Sequence, residues 1–255
     1  HERLVGSEMC IRDRLYRGER ELCFLPLAHA YSCAFNFLVP MAVGAHVYLL
    51  GKVPSPKILL KAFEEVKPNL ILTVPLILEK IYKKMILPQL SKTTMKVALN
   101  IPLLDSRIYA QIRKKLVDAF GGRFREVIVG GAAMNEEVTN FLYKIKFPFT
   151  IGYGMTECGP LISYDHNDEY VPGSCGQILK GIMKVRIDSE DPYNKVGEIQ
   201  VSGENVMKGY YKNEEATSKV FTEDGWLRTG DLGTIDADNR IYIPVSYTHL
   251  TLPTT

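Results

Sequence analysis

The stretch FPFTIGYGMTECGPL, residues 147–161, runs from an apolar segment into a turn that carries polar side chains. Residues 147–154 have the short apolar character of a strand that is buried on both faces. Thr156 and Glu157 follow the strand at once, and Pro160 stops any helix that begins there. Because ligands of open parallel sheets bind beyond the carboxyl ends of the strands, this stretch predicts a binding site where the strand ends.

Two further apolar runs predict other strands of the same sheet. NLILTV (69–74) and REVIVGG (125–131) each have the length and composition of a buried strand. A strand–helix–strand unit is predicted over 22–50. Further helices are predicted after Ser55, after Pro75, over 88–122 and after Asn135. Strands that alternate with helices at this spacing predict an α/β fold with a mostly parallel sheet.

The character of the sequence changes near residue 172, where glycine and turn residues become frequent and helices scarce. Short strands are predicted over 184–188, 197–203, 225–231, 232–236 and 240–243. The pattern therefore predicts an α/β part over 15–171, followed by a smaller β-rich subdomain over 172–243.

The composition excludes several classes of protein. Lys and Arg number 31 against 29 Asp and Glu, so no global field recruits nucleic acid or an anionic membrane. The five cysteines form no C-x-x-C pair, which argues against a zinc site and a disulfide framework and suits a reducing compartment. No apolar run reaches the roughly 18 residues that a membrane-spanning helix needs.

The two ends of the chain lack helical and strand periodicity. HERLVGSEMCIRDR (1–14) and residues 244–255 resemble translated adaptor sequence. We expect both to be non-native tails that flank an internal fragment, with ordinary frayed termini as the alternative.

Four side chains have the chemistry of a nucleotide site. Tyr153 offers an aromatic face to a base, and Thr156 offers a hydroxyl to a phosphate. Glu157 offers a hard carboxylate oxygen that suits Mg²⁺, and Asp231 can accept two hydrogen bonds from a ribose diol. In VGGAAM (129–134), small residues let a ring or phosphate approach the backbone closely. The alternatives are structural, since glycine, Thr-Glu and Asp also form ordinary turns and caps.

Taken in order, four blocks of sequence resemble the acyl-adenylate-forming ligases. That family includes acyl-CoA synthetases, firefly luciferase and nonribosomal-peptide adenylation domains. The resemblance runs from PLAHAY (26–31) to RIYI (240–243). The blocks are GGAAM (130–134), GYGMTECGP (152–160), GEIQVSGENVMKGYYKNEEAT (197–217) and DGWLRTGDLG (224–233). The fold that the resemblance implies is α/β, with mostly parallel sheet layers and helices, followed by a smaller distorted β-barrel-like subdomain.

The resemblance also implies roles for individual residues. Thr156 would contact the α-phosphate and Glu157 would ligate Mg²⁺, which makes them the catalytic pair. Asp231 would bind the ribose hydroxyls. His29 would lie in the substrate pocket near the acyl entrance, with a buried structural histidine as the alternative. The nucleotide-binding residues that it implies are Gly131, Ala132, Ala133, Gly152, Tyr153, Gly154, Thr156 and Asp231.

The implied reaction has two halves. A substrate carboxylate attacks the α-phosphate of ATP, and a thiol then displaces AMP from the acyl-adenylate. Mg²⁺ is the implied metal, coenzyme A the co-substrate and the cytoplasm the implied location; no nucleic-acid partner is expected. Within the family the sequence looks most like bacterial long-chain fatty-acid–CoA ligases. A medium-chain or aryl acid ligase and a non-catalytic nucleotide-binding remnant are the alternatives, and peripheral membrane contact and oligomeric state stay open.

The sequence also departs from the family pattern. The Ser/Thr/Gly-rich phosphate loop of the family precedes PLAHAY, and the mobile C-terminal domain with its catalytic Lys follows RIYI; neither occurs in these 255 residues. We therefore expect this fragment, with the mobile C-terminal domain absent, to bind nucleotide weakly and to catalyse no measurable reaction by itself.

Overall fold

A computed structural model describes residues 15–102 and 104–244, apart from the side chain of Lys96. The predicted tail over 1–14 lies outside the described residues, and so does the predicted tail over 244–255 apart from Pro244. The described chain divides between Phe149 and Thr150 into two compact units, here called the first unit (15–149) and the second unit (150–244). The domain bounds drawn from the sequence, with a change at residue 172, stay a prediction.

The first unit contains a five-stranded sheet with the strand order β2-β1-β3-β4-β5. β1 pairs in parallel with β2 and β3, and β3 pairs in parallel with β4. All residues of β3 and β4 are buried, as the apolar runs predict. The strands are Arg20–Cys23 (β1), His46–Leu49 (β2), Leu70–Thr73 (β3), Glu126–Val129 (β4) and Phe149–Ile151 (β5), the last of which contains the division between the units.

Helices connect the strands of this sheet. The helix predicted within 22–50 contains a π-helical segment. The helical stretch predicted over 88–122 consists of three separate helices. The helices are Ala30–Ser32, Cys33–Leu38 (π), Val39–Val43, Pro56–Val66, Pro75–Met85, Leu87–Leu90, Thr93–Ala98, Leu104–Ala119 and Glu136–Lys144.

The helix Pro56–Val66 shows how local sequence sets these elements. The Ser55 hydroxyl accepts a hydrogen bond from the Ile58 amide at 3.4 Å, and proline occupies the first helical position. Lys67 then adopts the left-handed conformation (φ 52°), which ends the helix. The Phe63 side chain is fully buried and packs against Phe120, with ring centroids 5.0 Å apart.

The cap of the helix Glu136–Lys144 gives a stability prediction. The Asn135 Oδ1 accepts a hydrogen bond from the Val138 amide at 3.2 Å. We expect Asn135→Ala to lower the free energy of unfolding by about 1 kcal/mol, since one helical amide loses its acceptor. Urea denaturation followed by circular dichroism measures the change. Asn135→Ser is the matched control, because serine restores an acceptor; equal losses in both variants would contradict the capping role.

The second unit is β-rich. A two-stranded antiparallel ribbon pairs β6 with β7, and a four-stranded antiparallel sheet has the order β11-β10-β9-β8. The strands are Tyr153–Gly154 (β6), Leu161–Ser163 (β7), Met183–Asp188 (β8), Gly197–Gly203 (β9), Leu227–Ile235 (β10) and Ile241–Tyr242 (β11), and Glu214–Val220 is a short helix. The predicted fold class is confirmed, with α/β structure followed by a curled antiparallel sheet.

The sequence predicted two strands over 225–231 and 232–236, where the structure has the single strand β10. Its register with β9 shifts between Arg228 and Leu232, and Gly230 adopts φ 76° within the shift. A glycine-bearing bulge therefore has the sequence signature of a turn without ending the strand.

Within the described residues, no helix combines the length and the hydrophobicity that crossing a bilayer requires.

Candidate functional site

The turn that carries Thr156 and Glu157 lies between β6 and β7. The strand predicted over 147–154 is interrupted at Gly152, because Tyr153 and Gly154 leave the parallel sheet and pair with β7. A Cβ atom on Gly154 would collide with the carbonyl oxygen of Pro160, so this ribbon closes only with glycine there. The turn itself is a 3₁₀ helix, Thr156–Cys158, with the Thr156 side chain exposed and the Glu157 side chain half-buried.

Tyr153 and Asp231 come together in the second unit. The Tyr153 hydroxyl donates a hydrogen bond to the Asp231 Oδ2 at 2.8 Å, across 78 residues of sequence. Burial raises the pKa of Tyr153 well above its ordinary value, and the neighbouring Asp231 carboxylate raises it further, so the hydroxyl stays protonated and donates.

Hydrogen bonds of the backbone around Asp231 hold this residue in place. Its amide donates to the Thr229 Oγ1 at 3.1 Å, and the Thr229 hydroxyl donates to the carbonyl oxygen of Ile199 at 2.8 Å. Gly230, between them, donates its amide to a Glu198 carboxylate oxygen at 3.3 Å. These bonds fix the bulge of β10, and with it the direction of the Asp231 side chain.

The Glu157 carboxylate has one engaged oxygen and one free oxygen. Its Oε1 accepts a hydrogen bond from the Tyr210 hydroxyl at 2.9 Å, whereas its Oε2 accepts none from any residue that the structure describes. Over the same residues, no group of three or more His, Cys, Asp or Glu side chains could hold a metal. A single carboxylate beside a hydroxyl nevertheless fits Mg²⁺, which takes one or two carboxylates together with phosphate oxygens and water.

Gly131, Ala132 and Ala133 follow β4 in the first unit, and all three are exposed. Gly131 adopts φ 86°, a conformation that favours glycine. The Tyr31 ring packs under the start of this loop, since a Cβ atom on Gly130 would lie 3.3 Å from its Cζ. The loop backbone thus packs against the Tyr31 ring at Gly130, and its next three residues are exposed, which permits close approach of a flat ring.

His29 begins the helix Ala30–Ser32 in the first unit. Its Nδ1 accepts a hydrogen bond from the Tyr31 amide at 3.3 Å, so the ring caps the helix. The His29 side chain is exposed, which makes the alternative of a buried structural histidine wrong. Its role in a substrate pocket stays a prediction.

Sequence reasoning missed three side chains that support the site. Tyr210 bonds Glu157, Thr229 bonds the Asp231 amide, and Tyr31 supports the loop after β4. Tyr210 and Thr229 lie inside the blocks GENVMKGYYKNEEAT and DGWLRTGDLG. The sequence blocks therefore contained these two residues, but the sequence alone does not indicate which residues they contact.

Comparison with known proteins settles the family. A family model described as "AMP-binding enzyme" matches residues 1–211. The chain belongs to the AMP-binding enzyme family. The resemblance predicted from the four sequence blocks is confirmed.

The relatives are acyl-CoA and aryl-CoA ligases. Long-chain-fatty-acid–CoA ligase 1 of Saccharomyces cerevisiae is 29% identical over 258 residues, with 93% of this chain and 37% of that protein covered. 4-Coumarate-CoA ligase 1 of Narcissus pseudonarcissus is 31% identical over 235 residues, with 87% and 37% covered. The chain therefore spans little more than a third of the length of these curated relatives.

Solved structures share the fold. The O-succinylbenzoate coenzyme A synthetase of Bacillus subtilis, in complex with AMP, superposes with a TM-score of 0.67 at 23% identity, with 92% of this chain and 43% of that chain covered. The same synthetase in complex with ATP and magnesium ion superposes equally well, with a TM-score of 0.67.

Proposed function

We propose that this chain binds ATP with Mg²⁺ and belongs to a ligase that joins a carboxylic acid to coenzyme A through an acyl-adenylate. The contact between Tyr153 and Asp231 carries the proposal. In a nucleoside, base and ribose are neighbours, so a stacking ring and a ribose-binding carboxylate must be neighbours too. The related B. subtilis synthetase has been solved in complex with AMP and in complex with ATP and magnesium ion, which supports the same ligands here.

Thr156 and Glu157 would serve the phosphate side of the nucleotide. They begin the 3₁₀ turn shortly after Tyr153, so a nucleotide stacked on the ring would extend its phosphates along this turn. The Thr156 hydroxyl would donate to the α-phosphate, and the free Glu157 oxygen would ligate the metal. When bound, Mg²⁺ would neutralise phosphate charge; the residues of the chain would position the α-phosphate for attack by the acid. The implied roles of Gly131, Ala132, Ala133 and His29 stay predictions.

We propose a long-chain fatty acid as the acid substrate. The 29% identity to the long-chain-fatty-acid–CoA ligase of yeast supports this choice. An aryl acid is the second candidate, because several plant 4-coumarate ligases match at 28–32% identity. Non-hydrolysable palmitoyl- and coumaroyl-sulfamoyladenosine distinguish them by the rise in melting temperature that each causes. A larger rise with the coumaroyl compound would exclude the fatty acid.

A thermodynamic cycle, in which the variant and the ribose hydroxyls are changed separately and together, tests whether Asp231 binds the ribose. We expect Asp231→Ala to weaken ATP binding about 10-fold or more, because charge-assisted hydrogen bonds to the ribose hydroxyls contribute about 1.5–3 kcal/mol each. Calorimetric titration with ATP and with 2′,3′-dideoxy-ATP measures the coupling. The wild type should prefer ATP, and the variant should bind both nucleotides alike.

The control for this cycle is Asp238→Ala, which removes an exposed carboxylate that pairs with Arg240 at 2.8 Å. It should keep the wild-type preference for ATP. If Asp231→Ala still distinguishes ATP from the dideoxy nucleotide, then Asp231 does not bind the ribose, and the nucleotide assignment loses its main support.

A further inference from the structure

One segment of the second unit, residues 205–210, holds the turn that carries Glu157. The Asn205 Nδ2 donates hydrogen bonds to the carbonyl oxygens of Cys158 at 2.7 Å and Leu161 at 2.8 Å. The Met207 amide donates to the carbonyl oxygen of Glu157 at 2.7 Å. Three backbone carbonyls of the turn and the following strand are thus bonded from this one segment, which fixes the backbone beneath the Glu157 side chain.

Tyr210, the last residue of this segment, reaches the Glu157 side chain itself. Its hydroxyl donates to Oε1 at 2.9 Å, across 53 residues of sequence. That oxygen is thereby directed toward the tyrosine, and the carboxylate plane is restrained. The Oε2 accepts no hydrogen bond from the described residues, which leaves it available to a cation.

The neighbouring helix, Glu214–Val220, fixes the backbone of Tyr210 in place. Its amide donates to the Thr217 Oγ1 at 2.9 Å, and that hydroxyl donates to the carbonyl oxygen of Asn213 at 2.8 Å. Gly209 adopts φ 147°, and a Cβ atom there would lie 2.7 Å from the Thr217 Cγ2. Glycine is therefore required for this close approach, and the tyrosine starts from an anchored backbone.

We propose that Tyr210 is a positioning residue, which orients the Glu157 carboxylate so that Oε2 meets the Mg²⁺ of bound ATP. The inference rests on the proposed function, in which Glu157 is the metal ligand. Groups that hydrogen-bond to metal ligands fix their orientation, and their removal commonly costs about 10–100-fold in metal affinity. A tyrosine that merely packed against the turn would have no such selective effect on the metal.

The test separates metal binding from nucleotide binding. We expect Tyr210→Phe to raise the Mg²⁺ concentration for half-maximal ATP binding about 10-fold, measured by calorimetry at fixed ATP. Binding of AMP in EDTA, which needs no metal, should change less than about twofold. Thr217→Val, which removes the bond to the Tyr210 amide, should shift the Mg²⁺ requirement in the same direction by a smaller factor. Tyr211→Phe is the matched control, because Tyr211 is adjacent and 88% exposed, and it should leave both quantities unchanged.

Glu157→Gln distinguishes the possible failures. If this variant leaves the Mg²⁺ requirement unchanged, Glu157 is no metal ligand, and both the proposed role of Glu157 and the inference are overturned. If it raises the requirement while Tyr210→Phe does not, only the positioning role is overturned. An equal loss of AMP and Mg²⁺-dependent ATP binding in Tyr210→Phe would show a structural role, and this also overturns the inference.

Discussion

Gly154→Ala is expected to abolish measurable ATP binding and to lower the free energy of unfolding by about 3 kcal/mol, the upper part of the usual range for overpacking. The added Cβ would collide with the carbonyl oxygen of Pro160, which is backbone and cannot rotate away. Relief requires β6 and β7 to separate. The intervening turn carries Thr156 and Glu157, so the same movement displaces both from the phosphate side of the proposed site.

Two measurements check this prediction. Calorimetric titration with ATP and Mg²⁺ reports binding, and urea denaturation followed by the fluorescence of Trp226, the single tryptophan of the chain, reports stability of the second unit. Gly51→Ala is the control, because a Cβ atom there meets nothing within 4 Å and φ is not positive. A Gly154→Ala variant with wild-type stability and ATP affinity would show that the ribbon between β6 and β7 tolerates the side chain, contrary to the predicted collision.

The parallel sheet was predictable because its information is local. The residues of β3 and β4 are apolar and wholly buried, and proline or a capping side chain precedes helices that connect such strands. Helix extent was less predictable. The helical stretch predicted over 88–122 consists of three helices, and the sequence pattern alone did not indicate where each of them ends.

For the candidate site, too, features that depend on neighbouring residues were predictable from the sequence, whereas contacts between distant residues were not. The sequence predicted Tyr153, Thr156 and Glu157 as candidate site residues because they lie within one short block. The bond from Tyr210 to Glu157 spans 53 residues and depends on how the chain folds back, so no spacing rule reveals it. The bulge at Gly230 was mistaken for a turn for a related reason, because glycine supplies the same positive φ in both settings.

A buried carboxyl in β1 gives the second large prediction. Glu21 is fully buried, its Oε1 accepts a hydrogen bond from the Asn36 Nδ2 at 2.6 Å, and its Oε2 has no partner among the described residues. Burial raises the pKa of Glu21 to about 8, against the opposing effect of the Asn36 hydrogen bond. At neutral pH the folded protein therefore holds a proton that the unfolded chain has released.

The sign of the pH dependence follows from this difference. The contribution of Glu21 to stability is complete below about pH 4.5, the ordinary pKa of glutamate, and is lost as the pH rises to about 8. The whole interval corresponds to a contribution on the order of 5 kcal/mol. Glu21→Gln places a neutral amide where the protonated acid was and keeps an acceptor for Asn36. We therefore expect the variant to lose this pH dependence and to be more stable than the wild type at pH 8 by several kcal/mol.

Urea denaturation at pH 5, 6.5 and 8 tests the expectation. Far-UV circular dichroism is the probe, because Glu21 lies in the first unit and Trp226, whose fluorescence reports on the second unit, does not. Tyr31, Cys23 and Glu126 are the other buried titratable groups of this region, and they are common to both proteins, so the difference between the two profiles isolates Glu21. Glu65→Gln, at an exposed helical position that pairs with Lys61, should follow the wild-type profile. Parallel profiles for wild type and Glu21→Gln would mean that Glu21 is ionised in the fold at neutral pH, and the interior around Asn36 would then have to accommodate a charge.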